Sequence, residues 1–274
     1  MASTPCIRVG IGGWTYQPWR GDFYPAGLPH SRELAHASRR LTAIEVNGTY
    51  YSTQQPATFA KWHAQTPDGF VFSLKASRYA TNRRVLAEAG ESIARFIGSG
   101  IHELGAKLGP IVWQFAPNKR FDPVDFEAFL GLLPTQLGGR RLRHAMDLRH
   151  DSFKSPGYLA LARKHGVTTV FTDSDPYPSM ADLTSDFVYA RLMRTDPGLP
   201  AGCTPQVLDQ LAACAGVWRA GGEPAGVPKV EAAAAPALPR DVFMFFIAGA
   251  KEKAPAAAMA LIDRLAEVQP PDRL

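Results

Sequence analysis

Eight short runs of β-branched, aromatic and other apolar residues recur along this chain, and each is followed by a longer segment with helical spacing. The alternation predicts parallel strands joined by crossover helices. The runs are Ile7 to Ile11, Thr42 to Asn47, Phe70 to Lys75, Ile111 to Phe115, His144 to Arg149, Thr168 to Asp173, Phe187 to Leu192 and Val242 to Ile247. Helices are expected over Ser31 to Arg40, Pro56 to Gln65, Glu91 to Leu104, Pro123 to Leu133, Pro156 to His165, Pro205 to Ala220 and Pro255 to Val268. Several open with proline, whose missing N–H and preset φ suit the first turn. The fold class that follows is α/β, a (β/α)8 barrel of TIM type.

Two intervals make the expected barrel irregular. Ser174 to Asp186 is short and carries Pro176 and Pro178, so a short or missing helix is expected between strands six and seven. Gly221 to Arg240, rich in Ala, Pro and Gly, is expected to be a flexible insertion before the last strand. With 274 residues, 46% of them hydrophobic, one core suffices, and residues 1–274 are read as a single barrel domain.

Met1 to Gly12 holds no basic stretch followed by a long apolar run, and no segment approaches the roughly 18 apolar residues of a transmembrane helix. Cys6, Cys203 and Cys214 show neither metal-site spacing nor the even number of a closed disulfide framework. A soluble, cytoplasmic protein with no membrane partner is expected. The formal charge of +5 favours anionic partners, although acidic residues are nearly as numerous. Arg83-Arg84 and Arg140-Arg141-Arg143 read as solvated surface. The sequence carries no signal for an oligomeric state.

Strand side chains alternate between faces, so the face of each polar strand end can be assigned. Glu45 and Asn47 lie with Ala43, Lys75 with Ser73, Gln114 with Val112, Asp147 and Arg149 with Ala145, Asp173 with Phe171, and Arg191 with Tyr189. The larger apolar set should meet the helices, leaving these polar groups in the barrel mouth. All stand at the C-terminal ends of strands, where barrel enzymes build their sites. A satisfied layer of internal ion pairs is the bland alternative.

Glu45, Lys75, Asp147 and Asp173 are the catalytic candidates. Crowded carboxylates are driven apart in pKa, and a lysine can serve as base, electrostatic stabiliser or nucleophile. Gln114, Arg149, Arg191, Asn47 and Tyr50 are the expected substrate contacts, with Trp14 from the aromatic cluster after strand one and His150 beyond strand five. Arg194 and Lys251, in the loops after strands seven and eight, are candidates for gripping an anion. No cofactor is predicted. Glu45, Asp147, His150 and Asp173 are ligand types that a divalent ion accepts, but His63, His102 and His165 fall on helices away from the mouth, so no metal residues are assigned.

These stretches resemble the YecE-like family, domain of unknown function 72. The matching segments include Gly12-Gly13-Trp14-Thr15-Tyr16, Ile44-Glu45-Val46-Asn47-Gly48-Thr49-Tyr50-Tyr51, Phe72-Ser73-Leu74-Lys75-Ala76, Trp113-Gln114-Phe115-Ala116-Pro117, Asp147-Leu148-Arg149-His150, Thr172-Asp173-Ser174 and Val188-Tyr189-Ala190-Arg191-Leu192. The resemblance implies a barrel and no established activity. Three positions depart from the family pattern: Asp147 stands where Glu is usual, Met193 where His commonly follows strand seven, and Ile247-Ala248-Gly249 where asparagines usually end strand eight.

Three functions fit this reading. The first is a hydrolase, lyase or isomerase working by acid/base chemistry on a small phosphorylated or carboxylated, sugar-like substrate. The second is a metal-dependent nucleic-acid hydrolase, and the third a noncatalytic protein that binds a small ligand or nucleic acid.

Overall fold

The structure, a computed structural model, describes residues 4–268. Its principal strands are β1 (Ile7–Gly12), β2 (Ala43–Val46), β3 (Val71–Lys75), β4 (Leu108–Gln114), β5 (His144–Asp147), β6 in two pieces (Thr168–Thr169 and Phe171–Asp173), β7 (Phe187–Leu192) and β8 (Asp241–Phe246). Each pairs in parallel with the next in sequence, and β8 pairs with β1. The ring closes through β6: its first piece bonds β5 and its second bonds β7. The result is the expected mixed α/β fold with a nearly closed parallel barrel.

Both faces of a barrel strand are buried, so the strands read as apolar runs in the sequence. The inner face is filled by Ala43, Val71, Val112, Ala145, Val170, Phe187, Tyr189, Phe243 and Phe245. Outward residues such as Val9, Ile44, Leu74, Trp113 and Met146 join the larger core beneath the helices. β1 contributes glycine to the interior: a Cβ on Gly10 would sit 1.9 Å from the Ala43 carbonyl oxygen and 3.3 Å from the Phe245 ring. Glycine at this point lets the two aromatic strands β7 and β8 fill the centre.

Helices α1 (Glu33–Ala37), α2 (Gly48–Tyr51), α3 (Pro56–Gln65), α4 (Arg78–Thr81), α5 (Gly90–Ile97), α6 (Pro123–Gly131), α7 (Pro156–Lys164), α8 (Pro205–Arg219) and α9 (Ala254–Val268) surround the strands. The starts of α6, α7 and α8 are capped by Asp122, Ser155 and Thr204, whose side-chain oxygens accept backbone N–H bonds. The expected continuous helix over Glu91 to Leu104 is instead α5 followed by a 3-10 turn over Ile101–Lys107. Gly100 breaks it with φ of 102°, in a spot where a Cβ would meet Pro56 at 2.6 Å.

No helix occupies Ser174 to Asp186, as the two prolines imply. Residues 221–240, which contain no helix or strand, lie against that interval. Val230 and Glu231 donate backbone N–H bonds of 2.8 and 3.0 Å to the buried Asp182 carboxylate, and Ala181 N–H donates to the Pro228 carbonyl at 2.8 Å. Arg240, also buried, donates to the carbonyls of Ser185, Leu238 and Pro236. Among the described residues, no helix is long and apolar enough to cross a membrane.

Candidate active site

At the C-terminal end of the barrel the ends of β2, β3, β4, β5 and β7 bring six of the expected residues together, five of them in one hydrogen-bonded network with Lys75 beside it. Arg191 is its hub, at 1% exposure. Its guanidinium donates from Nε and Nη2 to the two oxygens of Glu45, at 3.1 and 3.0 Å. It also donates from Nη1 to Asp147 Oδ2 at 2.6 Å and Gln114 Oε1 at 3.2 Å. Burial works against the charge on Arg191, but Glu45 and Asp147 together outweigh it and push the group above its ordinary value. Tyr189, one step deeper on the same face of β7, donates its hydroxyl to Glu45 Oε2 at 2.8 Å and lies 2.8 Å from Ser73 Oγ. Burial, then the neighbouring Glu45 charge, keeps that phenol protonated far above its usual range.

Glu45 therefore spends both oxygens on Arg191 and, like Asp147, is sealed from solvent at 0% exposure. Asp147 differs in one respect: Oδ2 serves Arg191 and, at 3.3 Å, Arg149 Nε, while the buried Oδ1 has no hydrogen-bond partner among the described residues. Arg149 also donates to Gln114 Oε1 at 2.8 Å, and its outer face is covered by the Tyr177 ring at 4.3 Å.

Lys75 is held differently. At 6% exposure, its ammonium finds one hydrogen-bond acceptor among the described residues, Asn47 Oδ1 at 3.5 Å, and the face of Tyr50 at 4.3 Å. Burial and then the Arg191 charge lower its pKa to about 8, against the opposing pull of Glu45 and Asp147. Asn47 opens α2, and its Nδ2 sits 3.1 Å from where a Cβ on Gly12 would be. Ile247 approaches the same point at 3.3 Å and packs on the inner apolar cluster, so the β8 side of the mouth is apolar.

Four expected residues lie elsewhere. The Trp14 ring packs outside the barrel against Trp62 and Phe72, at 5.1 and 6.4 Å, because Gly13, with φ of 77°, turns the chain away from the mouth. Asp173 points outward with Phe171, which packs on Trp218 of α8 at 5.8 Å. The expected face of strand six is thus reversed. An interior already filled by Phe187, Tyr189, Phe243 and Phe245 takes Val170, and alternation then turns Thr172 inward in place of Asp173. Asp173 and Asp175 pair with Arg194 at 3.1 and 2.9 Å, which removes Arg194 from the mouth as well. Lys251 lies over the rings of Tyr16 and Trp19, at 4.5 and 5.7 Å, on the β8–β1 side of the rim.

His150 stays at the rim, but its Nδ1 accepts the Ser152 N–H at 3.1 Å and caps the turn over Asp151–Phe153. Glu45, Asp147, His150 and Asp173 do not gather, and among the described residues no three His, Cys, Asp or Glu side chains form a metal-binding group. Three residues join the site beyond those expected from the sequence. Tyr189 and Ser73 were legible there, since each lies two positions before a candidate residue on the same strand face; Tyr177, in an irregular loop, has no periodic signal.

A parallel eight-stranded barrel with buried ion pairs and a lysine at its strand ends defines the class. Within that class the chain belongs to the family described as protein of unknown function DUF72, whose model matches residues 8–273. Solved structures agree on the fold. A DUF72 family protein from Thermotoga maritima is similar with a TM-score of 0.70 at 20% identity, covering 96% of this chain and 99% of that one. Another, from Enterococcus faecalis, is similar with a TM-score of 0.64 at 17% identity, covering 96% and 97%. The structure of SacUVDE is similar with a TM-score of 0.55 at 11% identity, covering 96% and 99%. Comparison with curated proteins finds no match.

Proposed function

We propose that this protein is an enzyme acting on a small anionic substrate, phosphorylated or carboxylated on a short carbon skeleton, with Lys75 as the group that binds the anion and moves the proton. The observation that carries the reading is the isolation of the Lys75 amine, which is almost wholly buried yet among the described residues has only an amide oxygen at 3.5 Å and a tyrosine face for company. Buried charge is costly unless it is paired or used. Within the network, Lys75, Arg149 and Arg191 face only Glu45 and Asp147, so a protonated Lys75 leaves one positive charge in excess. A bound anion balances it.

A pKa of about 8 places the amine near neutrality, where one group can both give and take a proton. Glu45 is then a positioning residue that fixes Arg191, and Arg191 in turn holds Asp147 and Gln114 at the floor. Arg149 and Gln114 are the side chains placed to orient the substrate. The apolar edge made by Gly12 and Ile247 suits the carbon side of the ligand.

A thermal-shift series tests this with inorganic phosphate, phosphorylated sugars and short carboxylic acids, on the parent and on Lys75→Met. Saturating ligand at about 100 times Kd stabilises the native state by about 2.7 kcal/mol. At least one of these anions should raise the melting temperature of the parent, and Lys75→Met, which keeps the volume of the chain, should lose that rise while unfolding cooperatively. An equal rise in the variant, or none with any anion in the parent, sinks the reading.

A further inference from the structure

Beside the mouth, the loops that follow β2, β3 and β4 leave a basic groove that proton transfer at Lys75 does not use. It consists of two adjoining cavities of about 550 and 660 Å³, both lined by Asn82 and Arg83. Arg83 is built into the wall between them, donating to the Tyr79 carbonyl and to Ser92 Oγ at 3.0 Å each, so half of the Arg83-Arg84 pair is structural and not solvated surface. The acidic side chains of the groove are already engaged. Glu91 pairs with Arg95 at 2.8 Å, Asp125 lies 3.6 Å from Lys119 and accepts the Ala87 N–H, and Asp122 caps α6. Among the described residues, Arg78, Arg84 and Arg120, which also line the groove, have no carboxylate partner.

The rim adds flat apolar faces. Tyr51 and Tyr79 are each 61% exposed, and the Arg78 guanidinium lies over both rings, at 5.9 and 5.4 Å. The platform is continuous with the mouth: Tyr51 meets Tyr50 edge to face at 5.0 Å, Tyr50 covers Lys75, and Asn82 Nδ2 donates to the Tyr50 hydroxyl at 3.5 Å.

We propose that this groove binds single-stranded nucleic acid, with phosphates along Arg78, Arg84 and Arg120 and unpaired bases stacked on Tyr79 and Tyr51. Unpaired cations along a concave track and exposed aromatic faces at its edge are the two elements that sequence-tolerant strand binding needs. An acidic peptide satisfies the charges but leaves the ring faces bare. A duplex hides its bases, and a membrane surface does not enter a groove. Strand binding here is independent of proton transfer at Lys75, because none of these residues belongs to the network around Arg191.

Fluorescence anisotropy with a labelled oligothymidine of about twelve nucleotides tests it. Saturable binding should weaken with salt at a log–log slope of about 2, three phosphates at roughly 0.7 each. Arg78→Ala and Tyr79→Ala should each weaken binding about tenfold, Tyr79→Phe should keep it, and polyglutamate of equal charge should compete poorly. Absence of saturable binding at low salt, parent-like affinity in Tyr79→Ala, or full competition by polyglutamate overturns the proposal. Phosphate stabilisation that depends on Lys75 should be unchanged in the same variants, so failure at the mouth and failure at the groove register in different measurements.

Discussion

Replacing Arg191 by Met removes the cation on which the floor of the site converges and leaves a chain of similar reach in its place. The two carboxylates are not affected alike. Asp147 keeps Arg149 Nε at 3.3 Å, whereas Glu45 loses both guanidinium bonds and retains only the Tyr189 hydroxyl. The destabilisation therefore falls on Glu45, a carboxylate at 0% exposure. Breaking one buried pair by removing a partner costs about 3 to 5 kcal/mol, a large share of the roughly 5 to 15 kcal/mol that stabilises a typical domain. Equilibrium urea denaturation measures it as a lower midpoint at unchanged slope. The asymmetry sharpens the test. Adding Glu45→Gln to Arg191→Met removes the orphaned charge and should recover most of the loss, while adding Asp147→Asn should recover little. A loss below about 1 kcal/mol, or better rescue by the Asp147 substitution, would refute this account of the network.

Anion affinity at the mouth should be highest below pH 8 and fall as pH rises through it, because the ammonium is the binding form and its pKa is about 8. The bound anion raises that pKa, so calorimetry near pH 8 in buffers of different ionisation heat should register proton uptake; a pH-independent affinity with no uptake contradicts the role of Lys75. His144, on β5, accepts the Trp113 indole N–H at Nδ1 and so donates from Nε2 to the Pro134 carbonyl, at 3.0 and 2.8 Å; burial lowers its pKa to about 4. With the folded value below the unfolded one, the stability it confers is present above about pH 6.5 and is lost as pH falls towards 4, on the order of 3 kcal/mol. Denaturation across that range should show the slope, and His144→Gln should flatten it.

The eight strands were legible because a parallel strand buried on both faces is an apolar run whatever surrounds it. Glu45, Lys75, Gln114, Asp147, Arg149 and Arg191 were legible because simple alternation along β2, β3, β4, β5 and β7 turns each one to the inside. β6 was not: a polar strand end made Asp173 look inward, but the direction of its side chain is decided by the volume that Phe171 needs, and that volume is supplied by Trp218 from a helix some way along the chain. Trp14 failed for a local reason, a left-handed Gly13 that redirects the chain just past β1. Tyr177, Arg84 and Arg120 depend on how irregular loops fold over the rim, and no periodicity encodes that.

The split in β6 bears on motion. Neighbouring barrel strands pair over three to six residues elsewhere, whereas β6 pairs with β5 over two and with β7 over three, and the Val170 N–H between its pieces donates to the Met146 carbonyl at 3.0 Å. If amide exchange finds a hinge in this wall, it belongs at Val170, and the chain that leaves β6 is the one bearing Tyr177 over Arg149. The break in β6 thus lies in the wall from which the Tyr177 loop departs. Opening of that wall is expected to release the Tyr177 ring from Arg149 before it disturbs the strands that hold Lys75 and Arg191, and faster amide exchange at Thr172 than at Arg191 would register it.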